Sequence, residues 1–312
     1  IVRATETVDA TPGGSKVDLS KLFLSTDGHA DGVSSNKAFA LTSSRVEEVD
    51  GEYLTLIVDE ATRVKALLSS STPGGDGSPL TFDADAGALL DVAQNPSTSR
   101  AVVAVHEISD AVKPVLLDVS LNFSNGHLRL QCTETIDLRT DNSSGFGFNR
   151  SSLNLRNLFI SNVTLIAEAN DSTGSVSLSL WDRAAVISQR TYFDKFEFTL
   201  QLQEQVRTDA LKLTHLSARN VNSNFDPLVL DIFQGGFKDM AGLNVSSAYN
   251  ISMSMVPDTV SPVLEDVMLD FGTGIVTLYV SEIVDTPTIR LDRIFLGRSP
   301  SFNSSAGVSG AT

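Results

Sequence analysis

The sequence has little of several residue types that mark common functional classes. Its 312 residues include one cysteine, Cys132, which excludes an intramolecular disulfide and a cysteine-based zinc cluster. There are four histidines, and none stands at metal-ligand spacing from another histidine or from the cysteine. No run of about 18 apolar residues is present, so the sequence predicts no membrane-spanning helix.

Positive charge is also scarce, because 23 lysines and arginines face 38 aspartates and glutamates, for a net charge of −15. Nucleic acids and anionic lipids are bound through basic patches, so this balance argues against either as a partner. The sequence has no nucleophile elbow, no P-loop, no dinucleotide fingerprint and no H-E-x-x-H zinc motif. Its acids are scattered over repeated strands. We therefore predict no enzyme activity and assign no catalytic residue.

What the sequence does have is alternation of apolar and polar residues over short stretches. LRLQC (128–132) and VTLYV (276–280) show the period of two that half-buried strands require. Clusters of Gly, Pro, Asp and Ser, such as STPGGDGSP (71–79), indicate turns between the strands. Residues 59–68 and 203–213 are predicted to form short helices or helical turns. The whole pattern predicts an all-β chain of β-sandwich domains.

The sequence also repeats itself. DAVKPVLLDVSLNF begins at Asp110 and matches DTVSPVLEDVMLDF, which begins 148 residues later at Asp258. An acidic strand-end motif occurs three times, as TETVD (5–9), TETID (133–137) and SEIVD (281–285). A leucine-centred block recurs every 136 residues, as VDLSKLFL (17–24), LNLRNLFI (153–160) and IRLDRIFL (289–296). We therefore predict an internal repeat of 136–148 residues.

These motifs resemble bacterial-type Ig-like repeats, which occur in S-layer proteins and in large repetitive surface proteins of algae and other protists. The shared pattern is D-x-V-x-P-x-L, then [ST]-E-x-[IV]-D, then a late turn. The late turns here are Asp91–Asn95 and Asp239–Asn244, where Gln94 replaces the family's glycine and Leu243 is inserted. The resemblance implies tandem Ig-like β-sandwich domains in a structural or adhesive surface protein.

The repeat divides the chain into three parts. Residues 1–111 are predicted to be an Ig-like domain without its first strand, and residues 112–259 a complete domain with a polar insertion near 138–150. Residues 260–312 are predicted to start a third repeat, followed by a Ser/Gly-rich tail. A sandwich without one strand exposes an apolar groove and an unpaired edge, which another strand can join.

The third part contains the strand type that the first part lacks. We therefore expect this strand of one subunit to complete the first domain of the next, giving a head-to-tail filament. The alternative is an excerpt from a longer tandem array, in which preceding residues supply the strand. The residues expected to fill the groove are Val263, Leu264, Val267, Leu269 and Phe271.

Eight Asn-X-Ser/Thr sites are present, which fits a secreted or cell-surface glycoprotein with N-linked glycans. They are Asn122, Asn142, Asn149, Asn162, Asn170, Asn244, Asn250 and Asn303. Asn122 is expected to face outward, because Val119, Leu121 and Phe123 alternate inward around it. The alternative is that a Ser/Thr-rich β protein contains such sites by accident.

Acidic residues gather where strands end and where repeats join. Glu134 and Asp137 end a strand, and Asp110 lies in the connection that precedes it. In a tandem array such acids could meet and bind Ca²⁺ through oxygen ligands. The other interpretation, a solvated acidic rim, is preferred from the sequence, so no metal ligand and no cofactor are assigned. Cys132 aligns with apolar positions and is predicted to be a small buried hydrophobe.

The sequence thus predicts a structural glycoprotein of an extracellular filament or sheath, whose partners are other copies of itself. The alternative is an adhesive or carbohydrate-binding ectodomain fragment of a long tandem-repeat surface protein. In both interpretations the repeats serve as structural modules, and neither requires a cofactor.

Overall fold

The computed structural model describes residues 1–11, 16–27, 38–138, 152–162, 177–181, 183–187, 196–214 and 228–297, together with the backbone of 308–309. The chain divides into two compact units, Ile1–Asp258 and Thr259–Thr312. Strands in several sheets dominate, and the described residues contain two α-helices, so the all-β class is confirmed. Neither described helix has the length and apolar character needed to cross a lipid bilayer.

Within the first unit, residues 1–111, called the first repeat, contribute short strands and one helix. The strands are β1 (Val2–Val8), β2 (Leu22–Ser25), β3 (Phe39–Ala40), β4 (Arg45–Val46), β5 (Gly51–Leu54), β6 (Leu56–Ile57), β7 (Thr81–Ala84) and β8 (Arg100–Ala104). Strands β3-β2-β7-β8 form one sheet, while β1 pairs with β5 and β4 with β6. The helix α1 (Glu60–Leu68) begins where the Asp59 side chain accepts a hydrogen bond from the Thr62 N–H, at 3.0 Å.

The second repeat, from residue 112 to the end of the first unit, has a fuller set of strands. They are β9 (Leu116–Asn122), β10 (His127–Cys132), β11 (Leu158–Ser161), β12 (Ser177–Ser179), β13 (Ala184–Val186), β14 (Glu197–Leu202), β15 (Val229–Ile232), β16 (Ala248–Ser252) and β17 (Ser254–Val256), with helix α2 (Glu204–Leu213) after β14. One sheet has the order β13-β14-β10-β9-β17, and the other β12-β11-β15-β16. Strand β17 runs parallel to β9, whereas the other pairs are antiparallel. Both helices lie where the sequence predicts them.

The structure repeats in the same way as the sequence. The sheet β3-β2-β7-β8 has the same order as β12-β11-β15-β16, and a 3-10 turn precedes the second strand of each. In the other sheet, Val2 lies opposite Leu54, and their counterparts Leu130 and Phe198 also lie opposite each other. The leucine-centred blocks are the 3-10 turns followed by their strands. Residues at matching positions of the two repeats therefore pair with each other in the same way.

Each repeat has its own hydrophobic core. In the second repeat, both sheets contribute to one cluster, which includes Leu130 and Phe198 from one sheet and Ile160 from the other. The first repeat has a smaller cluster around Leu22 and Leu54. These side chains are buried because successive residues of a strand point to opposite faces. Cys132 is 1% exposed within the larger core, as predicted.

The second unit has two small pairs of strands among its described residues. These are β18 (Leu264–Asp270) with β19 (Ile275–Val280), and β20 (Phe295–Leu296) with β21 (Val308–Ser309). Val276 and Leu278 are the first two apolar positions of VTLYV (276–280), whose alternation predicts a half-buried strand, yet they are 39% and 38% exposed. The predicted burial fails for them because β18 and β19 form a two-stranded sheet among the described residues, and no residue of either strand is buried.

In both repeats a buried aspartate accepts a hydrogen bond from the backbone of an edge strand, at a place where the strand register shifts. Asp83 is fully buried and accepts hydrogen bonds from the Ser25 hydroxyl at 2.6 Å and from the Val102 N–H at 2.5 Å. The register of β7 with β8 shifts next to Val102, as it does for β15 with β16. There Asp231, also fully buried, accepts from the Asn250 N–H at 2.8 Å. The buried carboxylate therefore stabilises a bulge in an edge strand.

Candidate functional site

Three carboxylates from distant parts of the chain meet where the first and second repeats join. One oxygen from each of Asp110, Glu134 and Asp239 lies within 4.8 Å of the others. Asp110 is in the connection between the repeats, Glu134 follows β10, and Asp239 starts the late turn. A β-bridge between Ile136 and Asp239 brings this turn beside the strand end. We call Asp110, Glu134 and Asp239 the carboxylate cluster.

Helix α1 of the first repeat supplies a cation to this cluster. Arg63 donates from Nη1 to Asp110 Oδ2 at 2.9 Å and from Nη2 to Glu134 Oε2 at 3.2 Å. The same guanidinium holds both oxygens of Glu60, at 2.7 and 2.8 Å. Glu60 Oε1 also accepts from the Thr135 N–H at 3.0 Å. Charge-assisted hydrogen bonds therefore join the helix of one repeat to the strand end of the next.

Two oxygens of the carboxylate cluster are buried and have no hydrogen-bond partner in the part of the chain that the structure describes. They are Glu134 Oε1 and Asp239 Oδ2, on side chains of residues that are 7% and 1% exposed. The second oxygen of Asp239 accepts from the Leu243 N–H at 2.8 Å, and that of Glu134 from Arg63. A buried acceptor without a donor costs free energy. Each of these oxygens can therefore bind a proton or coordinate a cation.

The charges at this junction do not balance. Among the described residues, the carboxylates of Glu60, Asp110 and Glu134 pair with one guanidinium, that of Arg63, and the carboxylate of Asp239 lies beside those of Asp110 and Glu134. Burial, followed by the charges of Asp239 and Asp110, raises the pKa of Glu134 to about 7, and burial also raises the pKa of Asp239. Burial opposes ionisation of Glu60 as well, but hydrogen bonds from Arg63 and from a backbone N–H outweigh it and lower the Glu60 pKa. Ionisation is therefore disfavoured at Glu134 and Asp239 and favoured at Glu60.

The second helix carries the same pair of charged residues. Arg207 holds both oxygens of Glu204 at 2.7 Å and donates from Nη1 to Asp258 at 3.1 Å. Asp258 stands at the repeat position of Asp110. Both helices thus begin with the spacing E-x-x-R, which is the sequence signal for this arrangement. Our sequence reasoning considered strand-end and linker acids, and it missed the helix pair and the late-turn carboxylate Asp239.

The first repeat has a further distinctive feature, a strand with one partner. In the second repeat β10 pairs with β14 on one side and with β9 on the other. Its counterpart β1 pairs with β5, and within the described residues it has no strand on the other side. Residues 106–108, at the repeat position of β17, are not in a strand, and Ile108 is 83% exposed. We call the place that β9 would fill the open position.

The residues predicted to form the assembly strand lie on or beside β18. Their exposed fractions are 60% for Val263, 54% for Leu264, 43% for Val267 and 90% for Phe271, and Leu269 is partly exposed. The repeat counterparts of Val267 and Phe271 are Val119 and Phe123, and both of these are fully buried. The same sequence pattern is therefore core in the second repeat and exposed in the second unit.

Four of the eight glycosylation sites lie in the described part of the chain. Asn250 is exposed, whereas Asn122 and Asn244 are partly exposed. Asn162 is partly exposed, but its Oδ1 is buried and has no hydrogen-bond partner. The other four, Asn142, Asn149, Asn170 and Asn303, lie outside the described residues, as does all but the first residue of the predicted insertion at 138–150.

Comparisons with protein-family models, with curated proteins and with solved structures each found no match to this chain. The Ig-like assignment therefore remains a prediction from the motifs and the repeat. Functional conclusions must come from the two structural features above, the carboxylate cluster and the open position.

Proposed function

We propose that this chain is a structural glycoprotein of an extracellular filament or sheath, built from tandem Ig-like repeats. Copies join head to tail when β18 of one copy enters the open position of the next. The observation that carries this proposal is the pairing of β1, which among the described residues has a partner on one side, whereas its counterpart β10 has partners on both. An unpaired strand edge beside a hydrophobic core is a site for strand addition.

The repeat specifies how the added strand would pair. In the second repeat Leu130 lies opposite Val119, and Cys132 lies opposite Leu116. The counterparts of Leu130 and Cys132 on β1 are Val2 and Ala4, and those of Val119 and Leu116 on β18 are Val267 and Leu264. The proposal therefore places Val2 opposite Val267, antiparallel, with the register that the second repeat already uses. Within its own unit Val267 lies opposite Leu278 of β19, so β18 must leave β19 to make this pairing.

Burial of apolar side chains would drive the association. Val267 and Phe271 are exposed in their own unit, and their counterparts are fully buried in the second repeat. Fully burying a Val or Phe side chain stabilises by roughly 1.5–3 kcal/mol. Strand β1 in turn exposes part of Val2 and Ala4, whose counterparts Leu130 and Cys132 are buried. Strand addition would thus cover apolar surface on both partners.

Sedimentation velocity and negative-stain electron microscopy over a range of chain concentrations test the proposal. Wild-type chain is expected to form end-to-end oligomers that lengthen with concentration. Val267→Glu places a charge on the face that enters the core, so it is expected to weaken association at least about tenfold. Met268→Glu is the matched control, because Met268 is similarly exposed but points to the opposite face of β18.

A peptide with the sequence of residues 258–271 gives a second arm. It is expected to bind the chain and to shorten the oligomers, whereas the same peptide carrying Val267→Glu is not. Wild-type chain that stays monomeric at every concentration, and binds neither peptide, would overturn the proposal. Equal loss of assembly in Val267→Glu and Met268→Glu would also overturn it, since register-specific pairing predicts a difference.

A further inference from the structure

We propose that the carboxylate cluster is a Ca²⁺ site that fastens the first repeat to the second. Asp110, Glu134 and Asp239 would supply carboxylate oxygens to the ion, and water would complete its coordination. The proposal does not depend on filament formation, because all three ligands belong to the compact unit Ile1–Asp258.

The chemistry of the donor set selects the type of ion. All three ligands are carboxylates, and neither histidine nor cysteine belongs to the group. Oxygen-only sites suit hard divalent cations, whereas zinc sites in proteins are dominated by histidine and cysteine. Ca²⁺ accepts six to eight oxygens in a flexible geometry, and some of them are often waters. Asp110 is partly exposed, whereas Glu134 and Asp239 are buried.

The spacing of the oxygens suits one shared ion. One oxygen from each of the three residues lies within 4.8 Å of the other two. Two oxygens that bind Ca²⁺ from opposite sides, each at about 2.4 Å, would be about that far apart. The three atoms could therefore contact a single ion with small side-chain movements and no rearrangement of the strands.

The unpartnered oxygens are a separate observation that points to a cation. Glu134 Oε1 and Asp239 Oδ2 are buried and receive no hydrogen bond from the described residues, and both residues are more than nine-tenths buried. Arg63 directs four of its five N–H donors to Glu60, Asp110 and Glu134 Oε2, and none of these hydrogen bonds reaches Glu134 Oε1 or Asp239 Oδ2. A divalent cation would satisfy the two open acceptors and offset the remaining negative charge.

The corresponding turn of the first repeat shows what the arrangement looks like without such a site. Asp91 has the repeat position of Asp239, but its Oδ1 accepts from the Asn95 N–H and its Oδ2 from the Asn95 side chain, both at 2.7 Å. Neither oxygen is left open. In the second repeat Leu243 is inserted before Asn244, and the Asp239 Oδ2 atom has no such partner. The turn with the inserted residue therefore lacks one of the two hydrogen bonds to the aspartate that the turn of the first repeat makes.

An ion at this place would connect elements of both repeats. Asp110 lies in the connecting segment, and Glu134 and Asp239 belong to the second repeat, where Glu134 also receives Arg63 of helix α1. The free energy of ion binding would therefore add to the stability of the junction, since the unfolded chain does not hold the three ligands together.

Isothermal titration calorimetry with calcium chloride tests the site on the full, unglycosylated chain after treatment with a chelator. The buffer should lie above the pKa of Glu134, so that the ligands are ionised. Saturable binding is expected, together with a rise in melting temperature at millimolar Ca²⁺. Glu134→Gln and Asp239→Asn keep side-chain shape but remove one charged ligand each, and each is expected to weaken binding at least about tenfold.

Asp91→Asn is the control, because it alters the equivalent turn acid away from the cluster and should bind Ca²⁺ as the wild type does. Circular dichroism spectra establish which variants are folded. Glu134→Gln and Asp239→Asn each remove a different ligand, so the site can be tested if either variant folds. Absence of binding heat and of a thermal shift in the folded wild type at 10 mM Ca²⁺, a concentration about tenfold above the weakest extracellular sites, would overturn the proposal. Binding that Glu134→Gln and Asp239→Asn leave unchanged would overturn it too.

Discussion

Val102 and Asn250 occupy the same place in successive repeats, and both have a left-handed backbone, with φ of 57° and 56°. In each case the N–H donates to a buried aspartate, Asp83 or Asp231. Asparagine tolerates this conformation, whereas a β-branched side chain is strained in it. The left-handed conformation of Val102 therefore destabilises the first repeat, whereas Asn250 adopts the same conformation in the second repeat with less strain.

Replacing Val102 by Asn is expected to raise the free energy of unfolding of the first repeat by about 1 kcal/mol. Val102 is 63% exposed, so the change removes little buried apolar surface. The reciprocal change, Asn250→Val, is expected to lower stability by a similar amount. Urea denaturation of unglycosylated chains measures both effects, and two changes of the same sign would contradict this explanation.

The register of the proposed assembly can be tested by disulfide formation. A chain with Val2→Cys and a chain with Val267→Cys, mixed and mildly oxidised, are expected to give a covalent dimer, because directly opposite residues lie within disulfide reach. Cys132 should not compete, because burial raises the pKa of its thiol to about 12.

Met268→Cys in place of Val267→Cys is the control for that experiment. A slip of one residue moves every side chain to the other face of the strand, so the dimer yield on non-reducing gels should fall several-fold. Similar yields from the two pairings would show that the contact is not the register-specific strand addition proposed above.

The stability of the calcium-free protein is expected to fall as pH rises from about 4.5 to about 7. Burial raises the pKa of Glu134 from its ordinary 4.5 to about 7, so in this interval the folded chain binds more protons than the unfolded chain. The contribution is fully present below the lower value and is lost as pH passes the higher one. The charged groups that face Glu134 are Asp239, Asp110, Glu60 and Arg63.

Urea midpoints measured in EDTA at a series of pH values, for the wild type and for Glu134→Gln, check this prediction. The glutamine variant cannot ionise at this position. Its urea midpoint minus that of the wild type should therefore increase as pH rises across the interval. Parallel curves for the two proteins would mean that Glu134 does not titrate as its environment implies.

Gly74→Ala is expected to loosen the packing of the first repeat on the second. A Cβ at Gly74, where φ is +93°, would lie 2.3 Å from the carbonyl oxygen of Met240 and 2.8 Å from the Cα of Ala241. Backbone conflict of this kind, added to the cost of positive φ, should destabilise by about 2 kcal/mol or more.

Gly77→Ala separates these two costs. Gly77 also has a positive φ, +86°, but a Cβ there would meet no atom within 4 Å. This variant should therefore lose about 1 kcal/mol, from backbone strain alone. Thermal denaturation of the two variants side by side measures the difference, and equal losses would argue against close packing of Gly74 on the late turn.

The sequence was sufficient to predict the β class, the two helices, the repeat and the burial of Cys132. Each of these depends on local pattern or on self-similarity, which one sequence can show. It also marked Glu134 and Asp110 as acids at a junction. It could not show that Asp239 joins them, because Asp239 and Glu134 are 105 residues apart and meet only through the pairing of a strand end with a turn.

Other features were outside the reach of sequence patterns for equally physical reasons. Nothing in the residue types of 254–256 distinguishes a parallel partner of β9 from an antiparallel one. The left-handed backbone at Val102 contradicts the preference of valine, so a local argument would place it in a regular strand. The E-x-x-R spacing of Glu60 with Arg63 is visible in the sequence and recurs in the second helix. The sequence could not show that Arg63 contacts Glu134, because that contact depends on how the helix packs.

The parallel pairing of β9 with β17 has a mechanical consequence. The first strand of the second repeat and its last strand lie side by side, with Ser254 beside Ser120 and Val256 beside Asn122. Tension applied to the two ends of this repeat would pull the strands in opposite directions along their length. Their backbone hydrogen bonds would then be sheared together, so the load is shared instead of opening the sheet one bond at a time.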